Sequence, residues 1–144
     1  MVRESDLWRL MKKELSGPGR DFVRVENPIM PGTPDVNYSI NSVDGWIELK
    51  EIASLPVRAS SAVRVPHFMP QQRLWIRRRG SAGGRVFVLL RARATMTYFL
   101  LPWTSWEWLG HAPVSVLKEE ALCWWRGGFD DLRMLEMLVA PPLS

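Results

Sequence analysis

The sequence predicts an α/β or α+β domain, with a mixed β-sheet carrying helices on its faces. Three observations support this. Apolar residues recur at helical spacing near the start; five short runs read as strands; and a helical stretch from 70 lies between two of those runs, which implies a strand–helix–strand crossover. A chain of 144 residues suits one domain with a real core.

The elements follow in order. ESDLWRLMKKEL at 4–15 reads as a helix, because Leu7, Leu10, Met11 and Leu15 fall on one face, and SGPG at 16–19 stops it. DFVRVE at 21–26 alternates and reads as a strand, and the proline-rich 27–34 is an irregular loop. DVNYSI at 35–40 and WIELK at 46–50 read as two strands of a hairpin, with NSVDG at 41–45 as the turn and Asp44-Gly45 as its central dipeptide. Residues 51–69 have no period and read as a surface loop with basic content at Arg58 and Arg64. Pro70 suits the first turn of a helix through QQRLWIRRRG, with Leu74 and Trp75 facing inward and Arg77, Arg78 and Arg79 near its end. RVFVLLRA at 85–92 reads as a strand buried on both faces, and TYFLL at 97–101 as the next strand. Beyond Pro102 the chain is tryptophan-rich. Ser115 is expected to cap a helix through VLKEEALCWWR, and Asp130 a last helix, DLRMLEMLVA. The whole is expected to be a single domain, with a core over 4–101 and a tryptophan-rich extension over 102–144.

Composition narrows the function classes. Hydrophobic residues make up 47% and charged residues 24%, as in an ordinary globular protein. No apolar run reaches the roughly 18 residues that span a bilayer, and MVRESDLW carries acids without an apolar stretch, so neither a membrane span nor a secretory leader is expected. A lone cysteine, Cys123, cannot form an internal disulfide, which fits a reducing, cytoplasmic setting; within an apolar helical stretch it reads as a buried small residue. The net charge of +4 rests mostly on arginine, which suits phosphate and permits nucleic-acid binding. The eight tryptophans read first as core or interface and second as platforms for unpaired bases. His67 and His111 have no partners at zinc-ligand spacing, and no nucleophile elbow or phosphate-binding loop is present.

The chemistry concentrates in PGTPDVNYSINSVDGWIELK, residues 31–50. Alternation along a strand puts Glu48 and Lys50 on one face and sends Ile47 and Leu49 to the other. Asp35 opens the neighbouring strand, and pairing brings it towards Glu48, while Pro-Gly-x-Pro gives it a stiff approach. Two carboxylates offer hard oxygen ligands for Mg²⁺, which neutralises an anionic phosphodiester, and a lysine beside them orients water or steadies developing charge. The competing reading is a solvated hairpin with a surface Glu-Lys pair.

PGTPDVNY…GWIELK resembles the active-site signature of the PD-(D/E)xK nuclease superfamily, with Pro34-Asp35 and Glu48-Leu49-Lys50 as its halves. FMPQQRLWIRRRGSAGGRVFVLL resembles the helix and strand that follow it in phage and bacterial VRR-Nuc-type proteins, with Gln72 as the glutamine that opens the helix. The resemblance spans about residues 4–92. It implies an α/β, restriction-endonuclease-like core with a central mixed sheet flanked by helices, Mg²⁺ or Mn²⁺ dependence, and cleavage of DNA by a cytoplasmic, phage-type or bacterial enzyme. It implies Asp35, Glu48, Lys50 and Gln72 as catalytic residues and Asp35, Glu48 and a first-helix glutamate as metal ligands; Glu4 is the best match for the last, with Glu14 and Glu26 as alternatives. A homodimer is expected, as in junction-resolving relatives. Arg58, Arg64, Arg77 and Arg78 are the candidates for contact with the DNA backbone. Two other function classes stand beside it: a non-catalytic DNA-binding or assembly protein that keeps the same fold, and a structural protein whose tryptophan-rich tail docks on a partner.

Overall fold

The computed structural model describes residues 4–27 and 29–141, with residues 4 and 5 described by their backbone alone. Helix α1 (Glu4–Leu15) leads into strands β1 (Arg20–Arg24), β2 (Val36–Ile40) and β3 (Val43–Ile52). Helix α2 (Pro70–Ser81) crosses over to β4 (Val86–Ala92), and β5 (Thr97–Pro102) follows. Helix α3 (Val114–Glu120), strand β6 (Cys123–Arg126) and helix α4 (Asp131–Val139) complete the chain. The six strands form one mixed sheet in sequence order, parallel between β3 and β4 and antiparallel elsewhere. Only the parallel pair needs a crossover, and α2 supplies it.

Helices cover both faces. Leu7, Met11 and Leu15 of α1 and Met134, Leu135 and Leu138 of α4 pack on Val36, Tyr38, Ile47, Leu49, Leu89 and Leu100. On the other face, Ile76 of α2 and Val114 and Leu117 of α3 pack on Ile52, Val88, Leu90, Phe99 and Leu101. Every residue of β4 is buried, as its strongly apolar sequence predicts, Arg91 included. Burying each large aliphatic side chain there stabilises the fold by about 1.5–3 kcal/mol. Among the described residues no helix is long and apolar enough to cross a membrane.

Four expectations need correction. The hairpin turns at Asn41-Ser42, not at Asp44-Gly45: Ile40 pairs with Val43, and Asn41 and Ser42 have φ of 47° and 74°. A two-residue turn needs positive φ at both centres, and asparagine tolerates that well. Asp44 and Gly45 lie within β3, where Asp44 accepts from Ser39 and a β-carbon at Gly45 would collide with the Tyr38 ring. The helix expected to run from a Ser115 cap to Arg126 starts instead at Val114 after Pro113 and breaks after Glu120, and Cys123–Arg126 joins the sheet. Cross-strand aromatic pairs favour this: Trp125 stacks on Tyr98 at 5.1 Å and Trp124 on Phe99 at 6.0 Å, each directly opposite its partner. Cys123 is buried as expected, but in that strand.

In α2 the inward residues are Ile76 and Gly80, while Leu74 is 50% exposed. The helix seats on the i, i+4 row that runs from Gln72, and Leu74 falls outside that row. Trp75 is half-buried against Trp46. The 53–69 loop is not wholly on the surface, because Val63 and Phe68 enter the second core. Six of the eight tryptophans, Trp46, Trp75, Trp103, Trp106, Trp108 and Trp124, also pack against that core.

Candidate active site

The hairpin register builds the site. Val36 pairs with Ile47, so continuing the ladder by one residue sets Asp35 opposite Glu48. Directly opposed residues project from the same face. A turn at Asp44-Gly45 would instead have put Asp35 across from Ser54. The Asp35 carboxylate is fixed by the Leu49 amide, which donates to its Oδ2 at 2.8 Å, and its carbonyl accepts from the Val25 amide at 2.7 Å. The preceding Pro-Gly-x-Pro loop closes on the first turn of α2. Gly32 has φ 97°, and a β-carbon there would strike the Gln71 carbonyl, so only glycine fits.

Glu48 and Lys50 share the face that α2 covers, and they are 1% and 2% exposed. The solvated surface pair is therefore excluded. Lys50 Nζ lies 3.2 Å from Glu48 Oε2. It donates to Gln72 Oε1 at 3.1 Å and to the His67 carbonyl at 3.0 Å. Gln72 Oε1 also accepts from the Met69 amide at 2.8 Å, so one side chain caps α2 and holds the lysine. Phe68 packs beside the ammonium, its ring centroid 5.5 Å away.

The Glu48 carboxylate is buried, with Lys50 and the Asp35 carboxylate as its polar neighbours. Burial first, then the Asp35 charge, pushes the Glu48 carboxyl well above the usual carboxylate range, against the opposing pull of Lys50. Two opposed acids at a buried position are what a bound divalent cation would answer, and the donors are of the hard oxygen type that Mg²⁺ or Mn²⁺ takes. Asp35 and Glu48 thus fit such an ion. Among the described residues no third His, Cys, Asp or Glu joins them. The Glu4 side chain lies outside the described residues, while Glu14 is half-buried and Glu26 exposed.

The arginines stand apart from this cluster. Arg58 and Arg64 are exposed on the 53–69 loop, and Arg77, Arg78 and Arg79 are exposed in the second half of α2. At 1.5 Å per residue, Arg77 to Arg79 lie about 8–10 Å along the helix from Gln72. Sequence reasoning missed the His67 carbonyl. A backbone group has no residue signature; the available signal was the proline bracket, Pro66 to Pro70, around a residue whose φ is 64°.

No protein-family model and no curated protein matches this sequence. Among solved structures the chain is similar to Hjc, a Holliday junction resolvase from the archaeal hyperthermophile Archaeoglobus fulgidus, with 21% identity and a TM-score of 0.41 over 69% of this chain and 75% of that one. At that identity and score the likeness bears on neither site nor activity.

Proposed function

We propose that the protein is a metal-dependent nuclease that hydrolyses phosphodiester bonds in DNA. One observation carries this reading: two directly opposed acids, Asp35 and Glu48, stand on one face with the buried Lys50, 3.2 Å from Glu48. A retired site has no reason to keep two acids and a lysine together. Asp35 and Glu48 would hold Mg²⁺ or Mn²⁺, and when bound such a cation offsets the charge of the phosphodiester during displacement.

The chain's own residues do the rest. Asp35 is aimed by the Leu49 amide. Lys50 is held by Gln72 and His67 and lies 3.2 Å from Glu48 Oε2, on the side of the acid pair. That is the direction in which the ammonium turns to orient water or steady charge on a phosphate oxygen. Gln72 is a positioning residue that acts through Lys50. The exposed Arg58, Arg64, Arg77 and Arg78 supply backbone contacts. Recognition through backbone shape, in a basic chain without a base-reading motif, favours branched or flapped DNA, and a two-fold homodimer would present two such sites to a junction.

The test uses linear, nicked, flapped and four-way-junction DNA with Mg²⁺, with Mn²⁺ and with chelator, for the natural protein, Glu48→Ala and Lys50→Ala. Cutting that needs metal and is lost in both variants is the expected result. Binding without cutting under every metal condition overturns it and leaves a non-catalytic DNA-binding protein.

A further inference from the structure

A cleft of about 230 Å³ opens between the 29–34 loop and the last turns of α2, lined by Met30, Trp75, Arg78, Arg79 and Ala82. We infer that it seats an unpaired nucleotide of the DNA strand that crosses the acid pair, an inference that rests on the nuclease reading for the path of that strand.

Size, charge and chemistry agree on this occupant. The volume falls short of the roughly 300–1,000 Å³ of pockets that enclose a whole small molecule, so it suits one unit of a longer ligand. Two cations line the cleft and no acid does. The Arg79 guanidinium lies over Trp75 at 4.8 Å and Trp46 at 6.0 Å. Stacking uses the flat face of the guanidinium and leaves its N–H edge for an anion. Among the described residues neither the Arg78 nor the Arg79 side chain has a hydrogen-bond acceptor or an acid partner. Met30, 57% exposed, and the half-buried Trp75 add an apolar wall.

A phosphate alone has no use for that wall, and a paired base cannot reach it. An unpaired nucleotide offers both a phosphate and a ring face. The placement also fits. Trp75 meets Trp46 edge-on at 5.2 Å, and Trp46 stands two residues before Glu48 on the same face of β3. That separation is about 7 Å along the strand, so a nucleotide chain leaving the acid pair reaches the cleft within a few steps.

Fluorescence anisotropy in chelator tests this, with a flapped duplex that carries a single-stranded arm against a blunt duplex of equal length. Arg78→Gln is expected to cost the flapped substrate roughly fivefold or more beyond any loss on blunt duplex. The slope of log K against log salt should fall by about 0.7 on the arm. Met30→Asp, at an exposed loop position, should act in the same direction without disturbing the core. Equal losses on the two substrates, or none on the arm, overturn the inference. Binding is read without metal, so cutting assays judge the nuclease reading separately.

Discussion

Strand β3 carries two buried ion pairs on opposite faces, and they are built differently. Glu51 faces Arg91 of β4 across the parallel ladder, and Arg91 Nε donates to its Oε2 at 2.8 Å while a second guanidinium nitrogen bonds the same oxygen. That pair is satisfied by its own geometry. Glu48, on the opposite face, has a single-pronged lysine contact at 3.2 Å and a second acid directly opposite. Buried charge alone therefore does not mark a functional site. Two opposed acids whose charges work against each other are the stronger candidate.

The widest separation between the pairs is expected from removing each cation. Arg91→Ala strands Glu51 in the interior and should cost about 3–5 kcal/mol in a denaturant melt, with cutting per folded molecule near the natural value. Lys50→Ala should do the reverse. Cutting should fall about 10²–10³-fold in single-turnover assays. Stability should fall less than in Arg91→Ala, because the raised Glu48 carboxyl loses less when its cation is removed. Similar melting losses in both variants would break the comparison.

A smaller effect is expected at Gln72. Gln72→Ala removes an acceptor of Lys50 and should lower kcat about tenfold with DNA affinity unchanged, and Gln72→Glu, which keeps an acceptor there, should recover part of it. Loss of affinity in place of kcat would make Gln72 a binding residue.

The acid pair also predicts a pH signature. The Glu48 carboxyl is raised in the folded chain, so without a divalent cation the fold binds more protons than the unfolded chain above the usual carboxylate range. Its contribution to stability is complete at lower pH and is lost as pH rises through the folded value. Cation binding must displace that proton, so the rise in Tm on adding Mn²⁺ should be larger at pH 8 than at pH 6, and Glu48→Gln should flatten the difference. The smallest effect concerns Cys123, whose thiol burial pushes up to about 11; it should resist thiol reagents until the protein unfolds.

Much of this was legible in the sequence. Strand parity placed Glu48 and Lys50 on one face, the periodicity of 4–15 and Pro70 marked two helices, and the apolar run at 85–92 marked a strand buried on both faces. What escaped depended on pairing partners. Asp44-Gly45 is the better turn dipeptide by local chemistry, but the Tyr38 ring over Gly45 and the positive φ of Asn41 and Ser42 decide the register. Cys-Trp-Trp-Arg continues a helix until Tyr98 and Phe99 are present to stack on it. The His67 carbonyl that holds Lys50 has no signature in residue identity at all.

Strand β6 has a consequence beyond the site. It pairs along β5, in which Tyr98, Phe99, Leu100 and Leu101 are all fully buried. Cut after residue 102, the chain would keep every residue of the acid–lysine cluster yet turn its most apolar hairpin partner into an open edge, with unpaired amides beside a continuous greasy surface. Such an edge recruits other strands. A shortened version would thus be lost to self-association before its chemistry could be measured, so functional work on this fold needs the tryptophan-bearing end for solubility as much as for shape.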